Sequence, residues 1–222
     1  MSDIENIASR IADIIISPGT VRGMINGALT VPLDIGYLAM GYFDTESRYP
    51  HQTQRIRMVT ALRRNIMNYD HIVNAVGIIY QEFNKYLTES QQDNVYRGVL
   101  SAIAGRLLAT KFVATTAAAV LERVSFIAAA ESKGAIGVVA VSLLLGGMSE
   151  RSIRSSEKLA RHEPEIYALL RPCDYDLTYF LFEPAVKPFV DAIHIRATQG
   201  KPAFNKIIES VGKKLNVPQA AY

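Results

Sequence analysis

Residues 134–149 read GAIGVVAVSLLLGGMS, 16 positions without a charge or a proline. Lys133 precedes them and Glu150 follows. A helix this apolar all round has no face to give to water, so it must lie inside a bundle or leave water for lipid. At 1.5 Å per residue it spans about 24 Å, against about 30 Å of bilayer hydrocarbon. It is therefore short for a resident span, although Lys133 and Arg151 could reach outward and narrow the gap. The residues expected to enter an apolar phase are Gly134, Ile136, Gly137, Val138, Val139, Val141, Leu143, Leu144 and Leu145. A partner segment, Val99–Leu121, is longer but carries Arg106 and Lys111. Two such charges at mid-bilayer cost roughly 5–7 kcal/mol, so they must face water or a polar group.

The remainder of the chain reads as helix nearly throughout. Ser2 and Glu5 have capping-box spacing, and Ile4, Ile7, Ala8, Ile11, Ile14 and Ile15 recur on one helical face. Ser17–Thr20 ends that helix, and a glycine-rich apolar segment, Val21–Phe43, follows with Pro32 inside it. Pro50–Leu87 is expected to form two helices or one bent one, then a polar turn over Thr88–Asn94. The least polar part, about 95–148, is expected to fold as an apolar hairpin or three short helices, broken near Ser132–Gly134. Ser149–His162 is expected as a separate amphipathic helix, Asp176 to about Ala197 as a helix bent by Pro184 and Pro188, and Lys201–Leu215 as the last helix. Val217–Tyr222 is a tail. Alternating β-branched runs and hairpin turns are missing. The expectation is an all-α fold: one helical domain over 1–222 with a central apolar hairpin. Its 222 residues suffice to bury a core.

Catalytic fingerprints fail one by one. Gly200-Lys201-Pro202 and Gly212-Lys213-Lys214 lack the earlier glycine and the hydroxyl of a phosphate-binding loop. His162-Glu163 is followed by Pro164, with no histidine at 166 to complete a zinc-protease helix. Gly147-Met148-Ser149-Glu150 lacks the second glycine of a nucleophile elbow. Asp174-Tyr175-Asp176 could hold a divalent ion, but the simpler role for Asp176 is to cap the helix after it. His51, His71, His162 and His194 have no metal-ligand spacing and read as surface or boundary residues. A single cysteine, Cys173, can form no internal disulfide. No metal, cofactor or catalytic residue is expected; an enzyme built from scattered residues stays open.

Two other patterns stand out. Between Glu46 and Asp70 there is no acid, and Arg57 and Arg64 would stack on one helix face with His71 beyond them. Such a ridge reads as a solvated face or a contact for lipid headgroups; without interleaved aromatics it is a poor platform for nucleic acid, and none is expected as partner. Gly19, Gly23 and Gly27 recur at every fourth position, a spacing that suits close helix packing.

An oily hairpin among amphipathic helices resembles the pore domains of bacterial toxins such as colicins. The size and the glycine-rich segment at Gly19–Phe43 are similar to small ion-leak effectors of type VI secretion systems. Unlike in colicins, the hairpin lies mid-chain. The resemblance implies an antibacterial effector that enters a target membrane, self-associates there and lets ions leak, with a cognate immunity protein in the producer. The opening MSDIENIASRIADIII is no Sec-type signal, so the chain is expected in the producer's cytoplasm until a dedicated system exports it. The residues leave a second reading open: a soluble interaction module whose oily helices are simply core. A net charge of +3 decides nothing between them.

Overall fold

A computed structural model describes residues 3–28, 36, 37, 39, 40, 44, 48–96, 101–129 and 135–215; for 48–50, 93, 94, 96, 101–109, 126–129 and 135–145 it describes the backbone only. Among the described residues the chain is all-α, without strands. The helices are α1 (Asp3–Ile16), α2 (Thr20–Ala28), α3 (Arg48–Arg63), α4 (Tyr69–Lys85), α5 (Glu89–Tyr96), α6 (Ser101–Ala129), α7 (Ala135–His162), α8 (Pro164–Leu170), α9 (Tyr179–Gln199) and α10 (Lys201–Leu215). Two 3-10 turns, Arg171–Cys173 and Tyr175–Leu177, join α8 to α9.

The periodic segments fold as their spacing requires. In α1, Ala8, Ile11, Ala12, Ile14 and Ile15 are buried. They lie against α10, whose Phe204, Ile207, Ile208 and Val211 form the facing stripe. Polar contacts fix the register of that pair: Ser210 Oγ donates to Glu5 Oε1 at 3.1 Å, and Lys214 Nζ lies 3.7 Å from Glu5 Oε2. Ser2, the expected cap, lies outside the described residues.

The element at the centre is α9. It packs against α1, α2, α4, α6, α7 and α10, and it buries twelve of its residues, from Tyr179 to Ile195. Pro184 and Pro188 both lie within it. Phe189 is the hub of an aromatic cluster, with ring centroids 5.2 Å from Phe83, 5.4 Å from Phe112 and 5.6 Å from Tyr80. The pairs with Phe83 and Tyr80 are edge-to-face and the one with Phe112 is tilted, and such pairs add to the burial of the rings themselves.

Three expectations change, and a fourth stays open. Thr88–Asn94 is mostly helix, not turn: Thr88 N donates to Gln91 Oε1 at 2.9 Å and Gln91 N to Thr88 Oγ1 at 3.3 Å, a reciprocal cap that starts α5. Ser149–His162 is not a separate helix. It continues the apolar run without a break, so α7 is one rod of 28 residues, about 42 Å long. The central position expected for 95–148 rests on side chains that lie largely outside the described ones. α6 packs on α2, α4, α5 and α9, whereas α7 packs on α3, α8 and α9; the contact between the two oily stretches lies outside the described side chains. Finally, Gly23 and Gly27 lie on the exposed face of α2, with Gly19 exposed just before it, and a Cβ added at any of the three would meet nothing within 4 Å. Among the described residues no helix closes on that seam.

Candidate functional site

Among the described residues, the most elaborate polar structure fastens the C-terminal half of α7 to α3 and to the turns at 171–177. It begins with sequence separation: the arginines of 55–57 have no acid nearby in the chain, and Glu150, Asp174 and Asp176 lie about a hundred residues further on. Folding brings them together. The Glu150 side chain is 4% exposed. It accepts from Arg154 Nε at 2.8 Å, one helical turn ahead, and from Arg55 Nη2 at 3.4 Å, and it lies 3.3 Å from His51 Nδ1. His51 is itself buried, with Nε2 3.1 Å from Glu157 Oε1, so this ring is sandwiched between two carboxylates of α7. That overturns its reading as a surface residue. Arg154 reaches further and donates to Asp44 Oδ2 at 2.7 Å. Burial opposes the Arg154 charge, but the bonds to Asp44 and Glu150 outweigh it and hold the guanidinium above its ordinary range.

The second half of the fastening centres on Arg57. Its Nη2 donates to Asp174 Oδ1 and Asp176 Oδ1, each at 2.8 Å, its Nη1 to Asp176 Oδ2 at 3.2 Å and to Gln54 Oε1 at 2.6 Å. Asp176 is fully buried and also accepts from Ser156 Oγ of α7 at 2.6 Å. It neither caps a helix nor waits for a metal; it is the buried counter-ion of Arg57. Asp174 reaches the same guanidinium from the left-handed region, φ 60°, a conformation that aspartate tolerates better than most residues. Desolvation works against Arg57, and the two carboxylates more than compensate, so its charge is held firmly. Ser152 Oγ completes the seam, donating to the Leu177 carbonyl at 2.5 Å and lying 3.8 Å from Met58 Sδ.

The basic ridge is therefore not what its spacing promised. Arg57 faces inward. Arg64 is exposed just past the end of α3, and His71 belongs to α4, its Nδ1 3.1 Å from the Tyr175 hydroxyl. Of the charges assigned to the hairpin, Lys111 is exposed, and the Arg106 side chain lies outside the described ones. Gly134 lies outside the described residues. Ile136, Gly137, Val138, Val139, Val141, Leu143, Leu144 and Leu145 lie on the helical backbone of α7, where side chains are not described. Among the described residues no helix is long and apolar enough to cross a membrane, and no group of histidine, cysteine and carboxylate side chains could hold a metal ion.

Sequence reasoning missed His51, Glu150, Arg154 and the pairing of Arg57 with Asp174 and Asp176. Only the Glu150–Arg154 spacing is a local signal; the rest depends on which helices meet. No family model, no curated protein and no solved structure matches the chain. What the fold and this seam define is a class: a helical bundle in which one long helix is oily in its first half and clamped by ion pairs in its second.

Proposed function

We propose that the chain is a membrane-active protein of the ion-leak kind, in which the oily part of α7, with α6 beside it in sequence, enters lipid after the bundle opens. The observation that carries this reading is the continuity of α7. Residues 135–145, which carry no charge, stand on the same rod as Glu150, Arg154 and Ser156. A buried ion-pair seam gives specificity of position more readily than net stability, because desolvation consumes much of the Coulombic gain. It suits a contact that must be correct when closed and still able to part. Gly146 and Gly147 stand where the two halves of the rod join, and each costs a helix about 1 kcal/mol relative to alanine. The rod is weakest there. On this reading the chain is an effector acting at a target-cell membrane, and its producer needs a cognate immunity protein.

A test is to lock the seam. In a Cys173→Ser background, Met58→Cys and Ser152→Cys place thiols where α3 and α7 already touch. The oxidised protein should fail to release ions from anionic vesicles, and reductant should restore release. Equal leakage from locked and reduced protein would show that α7 need not leave α3. No vesicle binding and no leakage in either state would favour the interaction module. That second reading has its own observation: Ile56, Val59 and Leu62 are exposed on one face of α3.

A further inference from the structure

A cavity of about 330 Å³ lies between the end of α7 and α9, from Tyr179 to His194, beside the Arg57 seam but lined by none of its ion-paired residues. Its size is that of a small-ligand pocket. Leu159 and Val190 supply apolar wall. Two hydroxyls on that wall lack partners. Ser155 Oγ is buried and makes no hydrogen bond. Tyr179 is 4% exposed, and among the described residues nothing hydrogen-bonds its hydroxyl. Buried polar groups are nearly always satisfied, and the orphaned Ser155 Oγ, with the unbonded Tyr179 hydroxyl lining the same cavity, points to a guest that satisfies both.

The charge around them says what kind of guest. Glu163, Glu183 and Asp191 line the cavity and are 17–26% exposed. Their lysine partners stand at the rim: Lys158, 3.6 Å from Glu183, and Lys187, 2.6 Å from Asp191, are 61% and 43% exposed. Glu163 lies 3.1 Å from His194 and feels the charge of Lys187. Three carboxylates against two rim lysines make the cavity wall rich in hydrogen-bond acceptors. Desolvation first, then the fields of Glu183, Glu163 and Asp191, push the Tyr179 hydroxyl well above its ordinary range, so the phenol stays neutral and offers lone pairs. A bare metal ion is a poor match, since no suitable ligand cluster exists among the described residues. An ammonium group, with three donors and no acceptor, matches two hydroxyls and a carboxylate.

We propose that this cavity binds a small aliphatic primary amine, its ammonium held by the hydroxyls of Tyr179 and Ser155 and the carboxylate of Glu163. The probe is 1,4-diaminobutane, with 1,4-butanediol as the uncharged control, titrated calorimetrically into the full chain. Saturable binding of the diamine is expected, with none for the diol. Tyr179→Phe and Ser155→Ala each remove a hydroxyl without a protein partner, so both should melt no lower than the parent. Each should bind the diamine about tenfold more weakly, since hydrogen bonds to a charged group are among the stronger ones. Equal heats from diol and diamine, unchanged affinity in both variants, or no saturation up to about 10 mM, millimolar Kd being the weak limit of a specific site, would overturn the proposal.

Discussion

The aromatic cluster around Phe189 and the ion-pair seam around Arg57 hold helices together by opposite means. Phe189 contacts Phe83, Phe112 and Tyr80 through ring edges and faces, contacts that need no matched donor and acceptor. Its contribution follows from area removed from water and from close packing. Arg57 gains only if Asp174, Asp176 and Gln54 stand where its five N–H groups point. The first region supplies stability that tolerates error. The second discriminates: one register of α3 against α7 satisfies every partner, and the others strand a charge in low dielectric. A bundle with both has an apolar pillar at α9 and α10 and a fastening at α7 that is selective in its partners.

The comparison breaks most visibly at the pillar. Phe189→Ala should cost about 3–5 kcal/mol, as deletion of a fully buried ring does, and lower the urea midpoint with little change in slope. A loss below about 1 kcal/mol would mean that α9 is not the centre of the core. Next comes the seam. Asp176→Ala should cost about 3 kcal/mol, the low end for a broken buried pair, because Asp174 still faces Arg57. A cycle with Arg57→Ala should give a coupling of at least about 1 kcal/mol by denaturation; independent effects would show that Arg57 and Asp176 are merely neighbours.

The smallest effect lies outside both regions, on the cavity wall. Burial above all, with the nearby Asp191 charge, raises the Glu163 carboxyl above its ordinary 4.5, against the opposing pull of His194 and Lys187. A raised carboxyl binds its proton more tightly in the folded than in the unfolded chain, so it contributes stability below 4.5 that is lost as pH rises through the folded value. Glu163→Gln should flatten that part of the stability curve, measured by urea unfolding at closely spaced pH from about 4 to 7. An unchanged slope would assign the acid-side dependence elsewhere. Glu82 is the natural control. Burial alone would raise it, but the Tyr86 hydroxyl and Lys85 hold it below 4.5, so its contribution is present above that value and lost on acidification.

How much could be read in advance differs between these regions. The isoleucine stripe of α1 and the boundaries of α10 were legible because local periodicity and local punctuation suffice for them. The helix α5 was legible in principle, since Thr88 and Gln91 are a capping pair, but its polar composition looked like a turn. The glycines at 19, 23 and 27 promised a close partner by spacing alone, and spacing says nothing about which side of a helix the rest of the chain occupies. Asp176 looked like a cap because caps are local. Its real partner, Arg57, lies 119 residues away.

The amino-acid sequence by itself determined that this chain is helical, that it holds one long uncharged run, and that it carries no motif for a metal, a nucleotide or a nucleophile. Those follow from short-range sterics, from periodicity and from the fixed spacing that such chemistry needs. The tertiary structure alone decided that α9 is the core, that the uncharged run and the polar helix after it are one rod, that His51 and Arg57 are fastened inside rather than presented outside, and that Tyr179 and Ser155 meet on a cavity wall. Burial and charge pairing depend on which distant segments share space, and no local pattern encodes that.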